Sequence, residues 1–265
     1  MAFLTGINER EKKLVTDNNI RISIVTVCKN AEKTIRATVE SVLNQTYTDF
    51  EYYIIDGTSD DNTLSIIKEY SSDNRLHIVS EVDSGIYNAM NNSLNYISGE
   101  YVLFLNSGDL LSDDCVLEDI APFLSHDIVY GDVYRKTESG GYLQRYRGGR
   151  IEILILLLCG TVMCHQAIFT KTFIMREYRF NEIYAVAADH EFIARALKDR
   201  RDIYHVRRTI CVYDNEGGVS ANPDNQDWIR KEVDNSLKSI LPAWYYIIKC
   251  PKGLFRIVRK LMGRK

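Results

Sequence analysis

The first hundred residues alternate between short, wholly apolar runs and longer stretches whose apolar positions recur every three or four residues. Residues 22–28 (ISIVTVC) are apolar and β-branched, the composition of a strand buried on both faces. Residues 31–45 then place Ile35, Val39, Val42 and Leu43 on one helical face. The alternation continues with a strand over 52–56, a short helix over 63–70 after a Ser-Asp-Asp-Asn turn, and a strand over 76–80. A helix over 86–97 and a strand over 101–105 complete it. Repeated β-α units with short connections predict an α/β fold built on a doubly wound, mostly parallel sheet with right-handed crossovers.

The second half is less regular. Residues 127–135 read as a strand and 137–149 as a Gly-rich, polar loop or hairpin; 151–159 are apolar enough for either a buried helix or a strand. A helix follows over 187–198 with Phe192, Ile193, Ala196 and Leu197 inward, then a strand or hairpin over 203–213. Gly217-Gly218 interrupts the pattern, and 223–241 resumes as a helix. With no internal repeat and no low-complexity linker, this half is expected to pack on the first sheet as one body.

Two of the predicted strands stop at an acid. One runs Tyr52-Tyr53-Ile54-Ile55-Asp56-Gly57; the other runs Tyr101-Val102-Leu103-Phe104-Leu105-Asn106-Ser107-Gly108-Asp109. In open α/β sheets ligands bind outside the carboxyl ends of the strands, so two acids on that rim suit a sugar, a base or a divalent cation. Each acid alone could equally be the N-cap of the next helix.

Composition narrows the setting. An apolar share of 45% supports a sizeable core. The six cysteines show neither C-x-x-C pairs nor zinc spacing, and Cys28, Cys159, Cys164 and Cys211 sit among apolar neighbours as core thiols of a reducing compartment. No signal peptide is visible, and the longest apolar run, 153–159, is far short of the ~20 residues of a spanning helix. The first strand ends in Thr26-Val27-Cys28-Lys29-Asn30 without the G-x-G-x-x-G turn of a dinucleotide site, and no Walker lysine loop is present.

The ordered set Ser23-Ile24-Val25-Thr26-Val27, Ser41-Val42-Leu43-Asn44-Gln45-Thr46-Tyr47, Ile55-Asp56-Gly57-Thr58-Ser59-Asp60-Asp61-Asn62-Thr63 and Asn106-Ser107-Gly108-Asp109 resembles family-2 glycosyltransferases of the GT-A fold. Glu81-Val82-Asp83-Ser84-Gly85-Ile86-Tyr87-Asn88-Ala89-Met90-Asn91 is similar to a block of surface-polysaccharide members, the colanic-acid type among them. The close match covers residues 20–110 and weakens toward 200.

The resemblance implies one catalytic domain over 1–240, with 20–110 the nucleotide-binding half and 111–240 the acceptor and catalytic half. Thr26, Asp56, Asp83 and Asn106 would contact the nucleotide, Asp56 as an acceptor for base N–H groups. Asp109 would be the carboxylate that meets Mg²⁺ or Mn²⁺ at the diphosphate. Asn106 and Gly108 stand where the family's D-x-D element has acids, which removes charge from that site. His165 and Gln166 would lie near donor and acceptor, His165 being otherwise a satisfied core histidine. Asp189 would be the general base of an inverting displacement, or only a helix-terminal acid, with Glu191 in reserve.

The implied partners are a nucleotide-sugar donor, a UDP-sugar first, and a lipid-linked or saccharide acceptor. Nucleic acid is not among them, and a homodimer is a further candidate. A nucleotide-sugar-binding module without turnover is the alternative, and a nucleotidyltransferase a weaker third. Charge adds a location. Eight of the 33 basic residues and none of the 36 acidic ones follow Asp234, leaving the preceding body at a formal −11. Residues 241–265 interleave Trp244, Tyr245, Tyr246, Leu254 and Phe255 with those bases, which suits either a helix lying on anionic lipid or one packed on its own domain or a dimer partner. The first option places the enzyme in the cytoplasm, peripheral on the inner face of the cell membrane.

Overall fold

The computed structural model describes residues 20–137, 140–146, 148–158, 163–214 and 223–249. Its centre is β1 (Ile22–Cys28), all seven residues of which are buried, as a strand covered on both faces requires. On one side β1 pairs in parallel with β2 (Phe50–Asp56), which pairs in parallel with β3 (Leu76–Ser80). On its other side β1 pairs in parallel with β4 (Tyr101–Phe104). The helices between them are α1 (Ile35–Leu43), α2 (Thr63–Lys68) and α3 (Ile86–Ser93). The chain moves outward from β1 to β3 and then returns past β1 to β4. Right-handed crossovers therefore put α1 and α3 on opposite faces, and the reversal of direction opens a crevice between the carboxyl ends of β1 and β4.

The sheet continues beyond β4 with antiparallel pairs. The short β5 (Leu110–Leu111) and α4 (Val116–Ile120) follow β4, and β6 (Ile128–Thr137) makes a hairpin with β7 (Gly140–Gln144). After α5 (Arg150–Leu158), β8 (Ile168–Lys171) inserts antiparallel between β4 and β6, and α6 (Thr172–Tyr178) and α7 (Ala188–Lys198) follow. Then β9 (Ile203–Asp214) pairs in parallel with β6 and antiparallel with β5. The order is β3-β2-β1-β4-β8-β6-β9-β5, with β7 on β6. These directions matter for chemistry. Because β8 runs against β4, it begins at the rim where β4 ends; β9 runs with β4 and ends at the same rim.

Two ambiguous stretches resolve. Residues 151–159 are helical through Leu158, with Ile153 and Leu157 buried one turn apart and Ile151 exposed, so the run is one-sided rather than buried throughout. The Gly-rich stretch is the β6–β7 hairpin. Beyond α8 (Gln226–Ile240), α9 (Pro242–Lys249) carries exposed Trp244 and Tyr246, while Tyr245 packs toward the core. The proposed lipid-facing tail beyond Lys249 lies outside the described residues, as do Cys159 and Cys250. The four described cysteines are free; Cys28, Cys164 and Cys211 are buried and Cys115 is exposed.

Candidate active site

The rim beyond β1 and β2 is a polar lacework. Asp56 ends β2 fully buried, and its carboxylate accepts from Ser59 N (3.0 Å), Ser59 Oγ (2.5 Å) and Ser80 Oγ (2.9 Å). The loops are laced together by Asn30 N on Ser59 Oγ (2.8 Å) and Asp60 N on Asn30 Oδ1 (2.9 Å). Asn30 and the β-branched Thr58 both hold left-handed backbone, φ 52° and 56°, a strained arrangement that clusters at ligand sites. Asp83 lies against Gly57, where an added Cβ would fall 2.5 Å from Asp83 Oδ2 and would make that carboxylate shift. Burial first, then the charges of Asp56, Asp61 and Asp83, push the Cys28 thiol up to about 12. Thr26 is different. Its hydroxyl donates to Leu105 O (2.7 Å) and shares a hydrogen bond with Tyr52 OH (2.8 Å), so it ties β1 to β2 and β4 inside the sheet.

Two strand spacings away, about 10 Å, lies the turn after β4. Asp109 N donates to Asn106 O (3.0 Å), closing a tight turn that needs φ +101° at Gly108, a conformation an L-residue would adopt only with strain. The turn is anchored on α1 by Gly108 N to Thr38 Oγ1 (3.0 Å) and by Ser107 Oγ against Thr34 Oγ1 (3.0 Å). Asp109, 4% exposed, accepts from Gln166 Nε2 (2.8 Å) and from the main-chain N–H of Asp214 (3.1 Å). Burial outweighs those two bonds and raises its carboxyl to about 6.

The start of β8 supplies the next groups. A single 3-10 turn, His165–Ala167, places Gln166 on Asp109 and His165 on Asn106, with Asn106 Nδ2 and His165 Nε2 2.9 Å apart. His165 Nδ1 faces Asp189 Oδ2 at 3.3 Å. Asn106, His165 and Asp189 thus form a continuous polar chain from the β4 turn to the start of α7. His165 belongs to this chain rather than to the apolar core.

Asp189 is not the N-cap of α7. The N–H groups of Ala185, Val186 and Ala187 all donate to Glu232 of α8, at 2.7, 2.8 and 2.9 Å. Tyr87 OH holds Val186 O (2.7 Å), and Asn91 brackets Phe180 through both its amide atoms. With the segment that enters α7 held by Glu232, Asp189 uses Oδ1 on His190 N (2.7 Å) and turns Oδ2 to His165. Glu191 is engaged elsewhere: it pairs with Arg195 (2.7 Å), whose guanidinium also holds Tyr178 O and Arg179 O. Of the two acids of this first turn, Asp189 is the one that faces His165.

Asp214 and Glu232 were not anticipated. Asp214 carries a readable signal, since 210–214 is another apolar strand run ending on an acid; Glu232, distant in sequence, carries none.

The donor set can be weighed against the implied cation. Among the described residues no three His, Cys, Asp or Glu side chains are grouped to hold a metal. The turn offers one buried carboxylate, Asp109, and the Asn106 side-chain oxygen, which is buried without a hydrogen-bond partner. That fits Mg²⁺ or Mn²⁺, which takes one or two protein oxygens and completes its shell with phosphates and water. It does not fit a closed structural zinc site.

Comparison with known proteins gives the family and the fold. Residues 23–187 match the family described as Glycosyl transferase family 2. A PGL/p-HBAD biosynthesis glycosyltransferase of Mycobacterium bovis is 30% identical over 242 residues, 88% of this chain and 92% of that protein. The Escherichia coli UDP-Glc:alpha-D-GlcNAc-diphosphoundecaprenol beta-1,3-glucosyltransferase WfgD is 34% identical over 113 residues, 42% of this chain and 45% of that one. Among solved structures, S. aureus TarS 1-349 in complex with UDP superposes with TM-score 0.65 at 20% identity, covering 84% of this chain and 67% of that one. Glucosyl-3-phosphoglycerate synthase from Mycobacterium tuberculosis, with Mn²⁺ and UDP, gives TM-score 0.60 at 18% identity, over 90% and 86%. The fold is GT-A, and the chain belongs to glycosyl transferase family 2.

Proposed function

We propose that the protein is an inverting, metal-dependent glycosyltransferase that moves a sugar from a UDP-sugar to a lipid-linked or saccharide acceptor in surface-polysaccharide assembly. The observation that carries this is the Asn106–His165–Asp189 chain beside Asp109, which sets a buried cation-binding carboxylate and a candidate base on one rim. The base would be received at the Asp56–Asp83 end, and the diphosphate at the Asp109 turn. Asp109 and Asn106 would hold Mg²⁺ or Mn²⁺, which when bound would neutralise charge on the leaving diphosphate. Asp189 takes the proton from the acceptor hydroxyl as it attacks the far face of the anomeric carbon. Glu191 is held by Arg195, which supports a single displacement through Asp189 over a double one.

The names of relatives support the donor and acceptor classes: UDP is bound in TarS, and the WfgD name specifies a diphosphoundecaprenol acceptor. No helix of the described residues is long and apolar enough to cross a membrane. Exposed Trp244 and Tyr246 at the head of the basic tail support a peripheral position on the inner face.

The test is transfer of labelled sugar from a panel of UDP-sugars to a polyprenyl-diphosphate-linked saccharide, with Mn²⁺ or with EDTA, and NMR of the product anomer. Inverted product formed only with metal is expected. Nucleotide binding without transfer or hydrolysis would instead mark a binding module, and retained configuration would defeat the role given to Asp189.

A further inference from the structure

The tightest constraint in the site is the direction of one amide. His165 is contacted at both ring nitrogens, Nδ1 by Asp189 Oδ2 (3.3 Å) and Nε2 by the Asn106 side chain (2.9 Å). A carboxylate can only accept, so in the neutral ring the proton sits on Nδ1 and Nε2 presents a lone pair. The Asn106 group facing that lone pair must donate. It is therefore the NH₂, because the reversed amide would set two acceptors against each other. The amide oxygen is left on the other side, buried and without a partner. Asn106 cannot swing its main chain to relieve this, since its carbonyl accepts from Asp109 N in the turn (3.0 Å).

We propose that His165 is a positioning residue that holds the Asn106 amide with its oxygen free, as a second oxygen ligand for the divalent cation at Asp109. The inference rests on the metal-dependent reading above and deepens it. A neutral oxygen suits this place. Asp109 is already desolvated, and a second carboxylate beside an incoming diphosphate would add repulsion, whereas an amide oxygen coordinates a hard cation without added charge. The departure from an acidic D-x-D element is thus matched by a device that aims the replacement. Asp189 takes part by accepting from Nδ1, so the candidate base also sets the tautomer that sets the ligand.

A double-mutant cycle tests it, with UDP binding measured by calorimetry in Mn²⁺ and in EDTA. His165→Ala should weaken Mn²⁺-dependent UDP binding about tenfold, the loss typical of removing a group that orients a metal ligand, and leave UDP binding in EDTA unchanged. In the Asn106→Asp background the same substitution should cost less than about twofold, because either carboxylate oxygen can reach the cation and no amide needs orienting. Equal losses in both backgrounds would overturn the proposal. So would a loss of the same size in EDTA, which would make the oxygen a partner for a nucleotide hydroxyl. Should His165→Ala not fold, Asp189→Leu replaces it in the cycle, since it removes the acceptor that fixes the tautomer; the same pattern is expected and the same outcomes overturn it. Transfer that persists in EDTA would defeat the cation assignment while leaving glycosyl transfer standing. A cycle that behaves as stated in a protein transferring no sugar would support this inference and defeat only the function.

Discussion

Two buried acids sit at opposite ends of the same parallel strands and are treated in opposite ways. Glu51, at the foot of β2 and 2% exposed, receives Ser23 Oγ (2.7 Å), Ser98 Oγ (2.8 Å), the N–H groups of Ser98 and Gly99, and Arg21 (3.2 Å). Burial alone would raise its carboxyl, but the bonds from Ser98, Ser23 and Gly99 outweigh it and hold it below the ordinary range. Asp109, at the rim and more heavily desolvated, receives two protein donors and is raised to about 6. The foot is a finished structural joint. At the rim the protein's own donors do not offset the burial of the carboxyl, and the proposed cation site rests on that difference.

Exchanging each acid for its amide separates the two roles. Asp109→Asn should lower sugar transfer by about 10³-fold, since charge stabilisation at the leaving group is lost, with the unfolding temperature held or raised because a desolvated charge is gone. Glu51→Gln should do the converse: transfer per folded molecule stays within about twofold, while stability falls by about 3 kcal/mol as charge-assisted bonds are lost. A next, smaller effect belongs to the acid beyond His165. Asp189→Asn should reduce turnover about 10²-fold with UDP affinity nearly intact; near-normal turnover, read in the same assay, would remove Asp189 as base.

Why the foot and the rim differ in legibility follows from the range of the interactions that build them. The strands β1 and β3 can be read from local sequence because burial on a parallel sheet selects unbroken apolar runs, and their ends coincide with the expected 22–28 and 76–80. The helix expected over 86–97 stops at Ser93, whose hydroxyl bonds back to Met90 O (2.6 Å) and whose successors turn tightly. β8 escaped notice, because Ile168-Phe169-Thr170-Lys171 is too short to display a period, yet its antiparallel insertion is what brings His165 and Gln166 to the rim. The individual site residues could be nominated from motifs. Their wiring could not, since Glu232 holds the entry to α7 from 45 residues beyond Ala187 and Asp214 reaches Asp109 across 105.

Asp56 offers a milder way to sharpen the comparison, because it lies at the rim but is bonded like the foot. Asp56→Ala should weaken UDP binding about tenfold, the size of a lost charge-assisted bond, and also lower stability, since Ser59 and Ser80 lose their acceptor. Wild-type affinity by calorimetry would confine Asp56 to structure. The smallest effect is one of acid sensitivity. A carboxyl held lower in the folded state than in the unfolded one contributes stability above its unfolded value, here 4.5, and loses it as pH falls through the folded value. The acid limb of a stability–pH curve should therefore be shallower in Glu51→Gln than in the wild type, and identical limbs would remove Glu51 as a contributor.

The most direct measurement is thermal unfolding of the wild type, Glu51→Gln and Asp109→Asn, each with and without UDP and Mn²⁺ at one concentration, about a hundredfold above the wild-type dissociation constant. Binding of that strength adds about 2.7 kcal/mol, or a rise of about 5 °C for a chain of this size. The account predicts that rise in the wild type and, from a lower starting point, in Glu51→Gln, and its absence in Asp109→Asn. An undiminished rise in Asp109→Asn, or its loss in Glu51→Gln, would contradict the division of labour between rim and foot.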